Sequence, residues 1–203
     1  MTLVYNIFYN LAKFFARLFF SMRVVGAENM VESGPLILAV NHASYFDPPL
    51  AGICSRRAVY YLARKNLLEW PFFGPLFPDM NVIPVERDGN DLNALRIVIR
   101  KIKEGNGVVL FPEGTRSRDG RLGQARGGLG MVVAKTGAPV LPMRIFGSFE
   151  AFPRDAKLPR LLPITVAIGK PITFDPSELA GAGRDEYQKI SERVMREIEN
   201  LHP

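Results

Sequence analysis

The chain is poor in the residues on which much enzyme chemistry rests. One cysteine among 203 residues, Cys54, excludes an internal disulfide framework and any cysteine-built metal site. It sits in an apolar run and reads as a core residue rather than a thiolate nucleophile. Only two histidines occur, His42 and the penultimate His202, so histidine chemistry, if present, falls to His42. No Gly-x-Ser-x-Gly elbow is present. A phosphate-binding P-loop is excluded because Ala134 precedes Lys135 and Thr136, and a dinucleotide fingerprint because Val133 stands where the third glycine of GGLGMVV belongs. There is no internal repeat, low-complexity tract or second-domain linker.

What is present is an ordinary globular composition with a surplus of positive charge. Hydrophobic residues make up 47%, and 26 Lys plus Arg against 20 Asp plus Glu leave a net charge of +6. That surplus points to nucleic acid, an anionic membrane face or a phosphorylated substrate. No recognised nucleic-acid motif accompanies it, so no nucleic-acid partner is expected.

Residues 1–22 hold five of the 14 phenylalanines. Thr2, Asn6, Asn10, Lys13, Arg17 and Ser21 recur at helical steps and form a polar stripe, leaving Leu3, Val4, Ile7, Phe8, Leu11, Phe14, Phe15, Leu18 and Phe19 around the rest of the helix. The segment lacks the early basic region and cleavage site of a signal peptide. Lys13 and Arg17 interrupt the apolar run that a spanning helix needs. A helix lying in the membrane interface fits best, against the alternative of a terminal helix packed on the core.

Beyond Gly26 apolar runs at 35–40, 58–63, 82–85, 107–111, 140–145 and 164–168 predict strands. Helical patterns predict helices over 90–104 (capped by Asn90 or Asp91), 126–136 and 184–201. Alternating strands and helices imply an α/β fold: a single domain with a mixed, partly parallel sheet flanked by helices. Pro142 inside its strand signals an edge or a bulge. The expected organisation is an N-terminal amphipathic membrane-associating helix (1–24) and a catalytic domain (25–203).

Two segments follow strands, where α/β proteins present reactive groups. In NHASYFDPP, 41–49, His42 and Asp47 would stand about 140° apart on a regular helix and out of contact. Pro48 and Pro49 push Asp47 out of helical geometry, into a loop or a capping position where the two side chains can converge. A carboxylate on one imidazole nitrogen fixes the tautomer and makes the other nitrogen a better base. The competing reading is an Asp that caps a Pro-initiated helix beside an incidental His. In FPEGTRSRDG, 111–120, Gly114 permits a tight turn with exposed amides, Thr115 and Ser117 add hydroxyls, and Arg116 offers a fork suited to phosphate. Arg118, Arg121 and Arg126 extend the positive field, and a charged solvated turn is the alternative. Arg87, at the end of VIPVERDG, reads either as a second phosphate contact or as a solvated charge. The run NLLEWPFFGPLFP, 66–78, concentrates Leu67, Leu68, Trp70, Phe72, Phe73, Leu76 and Phe77 among three prolines and reads equally as an acyl channel or lipid-dipping loop and as a proline-shaped buried loop.

The ordered blocks NHASYFD, VIPVER, FPEGTRS and APVLPM resemble those of the glycerolipid acyltransferases, and among them the bacterial 1-acyl-glycerol-3-phosphate (lysophosphatidic acid) acyltransferases. The resemblance implies acyl transfer from a thioester, on coenzyme A or acyl carrier protein as co-substrate, to the sn-2 hydroxyl of lysophosphatidic acid, with no cofactor and no metal. It implies His42 as general base, Asp47 as its support, and Arg87, Glu113, Gly114, Thr115 and Arg116 as the acceptor-phosphate site. It further implies attachment to the cytoplasmic face of the cell membrane through the N-terminal helix, with anionic lipid as a partner. The same chemistry suits other acceptors: glycerol-3-phosphate, a lyso-aminolipid or another lysophospholipid. A non-catalytic peripheral membrane protein would account for the helix and the charge but not for the His42–Asp47 pair.

Overall fold

The computed structural model describes residues 2–69, 71, 74–86 and 91–203. Its helices are α1 (Leu3–Phe20), α2 (Asp47–Cys54), α3 (Leu92–Lys103), α4 (Gly128–Thr136), α5 (Ser148–Ala151), α6 (Pro176–Leu179) and α7 (Arg184–Glu199). Its strands are β1 (Arg23–Val25), β2 (Leu36–Val40), β3 (Val59–Arg64), β4 (Val82–Val85), β5 (Gly107–Leu110), β6 (Val140–Phe146) and β7 (Thr165–Ile168). They form one seven-stranded sheet in the order β1-β7-β6-β2-β5-β3-β4. Every pairing is parallel except β6 with β7.

The run LILAV explains why β2 is central. Every residue of β2 is buried, and successive side chains alternate between the two faces. Leu36, Leu38 and Val40 pack in the core beneath α1 and α2 with Val59, Val109 and Leu141. Ile37 and Ala39 pack on the other side, where α3, α4 and α7 contribute Val98, Ile102, Val132, Val133, Val194 and Ile198. A run buried on both faces needs helices on both faces. The glycines of α4 serve that packing: Gly130 donates its N–H to Ser191 Oγ at 2.8 Å, and a Cβ there would collide with the Tyr187 carbonyl of α7.

The predicted strands and helices all form, with ends shifted by at most two residues. The sequence reading missed β1, whose three residues are all exposed, and the four-residue helices α5 and α6, and it held α2 only as one alternative, a helix entered at Asp47. Asp91 caps α3 by accepting from the N–H groups of Asn93 and Ala94, each at 3.0 Å. Pro142 marks a bulge, not an edge. β6 is flanked by β2 and β7, and between the Met143–Ile168 and Val140–Ile172 pairs two residues of β6 face three of its partner.

The N-terminal helix packs on the domain along one face and leaves another exposed. One face docks on α2 and the sheet: Tyr5 and Ala16 are buried, and Tyr9, Ala12 and Phe20 pack against the same core. Tyr5 Oη accepts from the buried Val59 N–H at 3.1 Å and lies 3.1 Å from Tyr61 Oη. Burial pushes the Tyr5 and Tyr61 phenols above their ordinary values, which keeps both neutral and able to hydrogen-bond. α1 therefore shares the core of the domain, and β1, which opens at Arg23, joins the sheet through β7. No helix of the described residues is long and apolar enough to cross a membrane.

The segment 66–78 contains short 3₁₀ turns, Lys65–Glu69, Gly74–Leu76 and Pro78–Met80, beside the start of α1, where Thr2 Oγ1 donates to Asp79 O at 2.7 Å. Trp70, Phe72 and Phe73 of this run lie outside the described residues.

Tyr5→Phe removes the acceptor of the buried Val59 N–H, so the variant is expected to be about 1–3 kcal/mol less stable. Urea unfolding followed by far-UV circular dichroism measures this, and an unchanged midpoint would show that α1 is not fastened by that bond.

Candidate active site

β2 and β5 are paired neighbours with Ala39 opposite Leu110, so NHASYFD and FPEGTRS leave the sheet side by side at the C-terminal ends of their strands. Both backbone polar groups of His42 are held by the second loop. Its N–H donates to Glu113 Oε1 at 2.8 Å, and its C=O accepts from the Ser117 N–H at 2.7 Å. Asn41 fixes the preceding residue to β6, accepting from the Ile145 N–H at 2.7 Å and donating to its carbonyl at 3.2 Å.

The His42 ring stacks on Phe111, with centroids 3.9 Å apart and planes 18° from parallel. Its Nδ1 donates to Asp47 Oδ2 at 3.0 Å. The same oxygen accepts the N–H groups of Ala43 and Ser44, each at 2.6 Å, and Asp47 is fully buried. Pro48 and Pro49 do not keep Asp47 out of the helix: it is the first residue of α2, with Phe46 at the N-cap. Its carboxylate turns back to the amides of Ala43 and Ser44 instead of capping, while its first-turn position sets it at the positive end of a helix. The turn at 43–46 brings together side chains that a continuous helix would separate. The result is a clamped imidazole, 17% exposed, whose Nε2 carries no hydrogen bond among the described residues.

The second loop folds back on itself. Gly114, at φ +67°, turns the chain so that its N–H donates to Phe111 O at 3.0 Å; that amide closes the turn rather than joining an anion nest. Glu113, only 4% exposed, spends Oε1 on His42 and Oε2 on the Gly123 N–H at 2.9 Å, so both of its oxygens brace the loop. Burial pushes its carboxyl above the ordinary range, outweighing the two backbone donors and the nearby His42, which pull it down.

Beside this brace opens a cavity of about 370 Å³ lined by Glu113, Thr115, Arg116, Ser117, Gly123, Gln124, Ala125 and Arg126. The Arg116 guanidinium lies 3.6 Å over the ring of Tyr45, and its buried Nη1 has no hydrogen-bond partner. An arginine held flat on an aromatic ring with a donor to spare is ready for an anion. The structure thus brings His42, Asp47, Glu113, Gly114, Thr115 and Arg116 into one region; Arg87 lies outside the described residues. Sequence reasoning missed the roles of Phe111, Tyr45 and Asn41. All three lie inside quoted motifs, but no spacing rule tells a stacking ring or a backbone clamp from ordinary core.

A parallel-rich α/β sheet thus carries a His–Asp pair and a cavity lined by Arg116 and Arg126 at adjacent strand ends. The acyltransferase family model matches residues 21–146, and the chain belongs to that family. It is 30% identical to a chloroplastic 1-acyl-sn-glycerol-3-phosphate acyltransferase of Brassica napus, over 79% of this chain and 48% of that protein. A 1-acyl-sn-glycerol-3-phosphate acyltransferase of Borreliella burgdorferi is also 30% identical, over 64% of this chain and 52% of its own. The chain spans about half the length of each of these curated relatives. The crystal structure of the 1-acyl-sn-glycerophosphate (LPA) acyltransferase PlsC of Thermotoga maritima superposes with a TM-score of 0.79 at 28% identity, covering 96% of this chain and 78% of that one.

Glu113→Gln leaves the Gly123 N–H facing an amide that cannot satisfy both backbone donors, at a cost on the order of 1 kcal/mol at neutral pH. Because folding raises the Glu113 pKa, the native state holds that proton to higher pH than the unfolded chain. The wild type therefore gains stability as pH falls from the raised value toward the ordinary Glu value, and loses it as pH rises. Denaturant titrations across mildly acidic pH should show the wild-type advantage over Glu113→Gln widening on acidification; a constant gap would contradict the buried-carboxyl assignment.

Proposed function

We propose that this chain transfers a fatty acyl group from a thioester, on coenzyme A or acyl carrier protein, to the sn-2 hydroxyl of 1-acyl-glycerol-3-phosphate, forming phosphatidic acid. The observation that carries the reading is the His42–Asp47 clamp. Three hydrogen bonds converge on Asp47 Oδ2, and one of them presents His42 with Nδ1 protonated and Nε2 open. In that tautomer Nε2 takes the proton from the acceptor hydroxyl as its oxygen attacks the thioester carbonyl. The new C–O bond forms, the C–S bond breaks, and the proton passes to the departing thiolate. The acceptor hydroxyl stands where a serine hydrolase has its serine, so no acyl-enzyme is needed.

Thr115, Arg116 and Arg126 line the cavity in which the acceptor phosphate sits, with Arg116 supplying the planar donor pair. Fixing the phosphate fixes the hydroxyl relative to Nε2. Glu113 serves by positioning His42 and the loop. The seven apolar side chains that α1 leaves exposed, Leu3, Ile7, Leu11, Phe14, Phe15, Leu18 and Phe19, support attachment to the cytoplasmic face of the membrane, where a lipid acceptor is met without leaving the bilayer surface. The names of the relatives support the acceptor assignment.

His42→Ala is expected to lose at least about 10² in turnover, the general-base range, with thiol release from an acyl thioester as the readout. Near-wild-type turnover would refute the mechanism. Arg116→Ala is expected to raise KM for lysophosphatidic acid about tenfold or more, through loss of a charge-assisted bond, while leaving the thioester KM unchanged. An acceptor panel including glycerol-3-phosphate and a non-phosphorylated lysolipid decides the substrate, and thiol release with the non-phosphorylated acceptor alone would overturn the assignment.

A further inference from the structure

The segment 153–163, PRDAKLPRLLP, joins α5 to β7 and has no part in the site described above. It exposes apolar side chains to a degree unusual outside α1: Leu158 is 79%, Leu161 64% and Leu162 37% exposed. These leucines alternate with Arg154, Lys157 and Arg160, against the one acid Asp155. The backbone is nevertheless tied down. Ala156 N–H donates to Pro153 O at 3.1 Å, Arg160 N–H to Ala151 O at 2.7 Å and Leu162 N–H to Arg160 O at 2.9 Å. Pro153, Pro159 and Pro163 stiffen it further.

Its two ends are fastened to the parts of the molecule that matter for a lipid substrate. At the start, Ser44 Oγ in the catalytic loop donates to Phe152 O at 2.8 Å, and Ser44 forms a β-bridge with Pro153. At the finish, Ile164 N–H donates at 2.9 Å to the carbonyl of Phe20, the last residue of α1. The segment thus bridges the end of the apolar helix and the catalytic loop.

We infer that this segment is a second lipid-contacting element, which seats on the surface of an anionic bilayer beside α1 and holds the catalytic loop against the headgroups. The inference rests on the reading that α1 lies on the membrane. The occupant follows from the alternation of side chains. Against a second copy of this chain, which carries a net charge of +6, the basic residues between the leucines would meet like charge. At an anionic bilayer the leucines enter the acyl boundary while Arg154, Lys157 and Arg160 reach back to the phosphates.

The test is cosedimentation of the full chain with vesicles of phosphatidylcholine plus phosphatidylglycerol, and of phosphatidylcholine alone. Leu158→Ser with Leu161→Ser is expected to weaken binding to both roughly tenfold or more. Arg154→Gln, Lys157→Gln and Arg160→Gln together are expected to weaken binding to the anionic vesicles by about 10², at about one kcal/mol per charge, and to affect phosphatidylcholine far less. Both variants should keep the wild-type Tm, since the altered side chains project from a backbone that is bonded elsewhere. Phe14→Ser with Leu18→Ser serves as the α1 control. Loss of binding in the loop variants as well as in the control supports the proposal. Wild-type binding by the loop variants, with loss in the control, overturns the proposal and leaves the α1 reading standing. Wild-type binding by all of them overturns both. A wild-type dimer that Leu158→Ser with Leu161→Ser converts to monomer, without change in vesicle binding, assigns the segment to a second copy of the chain and overturns the proposal.

Discussion

One buried oxygen organises the catalytic end of this molecule. Asp47 Oδ2 accepts from the imidazole of His42 and from two successive backbone amides, while its side chain is closed off from water. A carboxylate so placed is tolerable only because donors and dipoles surround it: the amides of Ala43 and Ser44, the first turn of α2 and the imidazole N–H. Breaking any of these leaves charge or donors stranded in the interior. The turn from β2 into α2 is thereby held in one conformation, and the orientation of His42 follows from it.

A second carboxylate holds the neighbouring loop to the first. Glu113 ties the amide of His42 to that of Gly123, so the strand ends of β2 and β5 form a single braced unit. Burial pushes its pKa upward, the cost of using a carboxylate as a structural clip. The two acids of the site thus have distinct work. Asp47 acts on the histidine ring, and Glu113 acts on the backbone that carries it. Arg116, laid over Tyr45 at the rim, leaves the positive side of the site facing the cavity.

The same division of surfaces governs the N-terminal helix. Its polar stripe, its docked face through Tyr5 and Ala16, and its exposed apolar sector occupy different parts of the helical circumference. Tertiary packing consumes only one of them. An apolar sector left over after docking is what distinguishes this helix from an ordinary terminal helix, and the basic, leucine-bearing segment 153–163 adjoins its end through the Ile164–Phe20 hydrogen bond.

Local pattern was enough for much of this. The doubly apolar run of β2, the helical spacing in α3 and α7, and the strand-loop placement of both motifs were legible because they depend on periods of two and 3.6 residues and on proline and glycine chemistry. Exposed β1 escaped because three residues carry no period, and Pro142 kept two meanings until its neighbours on both sides were known. By itself the sequence determined the fold class, the one histidine available for chemistry, and the carboxylate within reach of it. Only the tertiary structure decided that Glu113 clips backbone, that Gly114 spends its amide on its own turn, and that Phe111 and Tyr45 carry the His42 and Arg116 side chains. Each of those outcomes depends on which loop lies beside which. That adjacency is set by β2 pairing with β5 across some seventy residues of chain, a distance no local pattern spans.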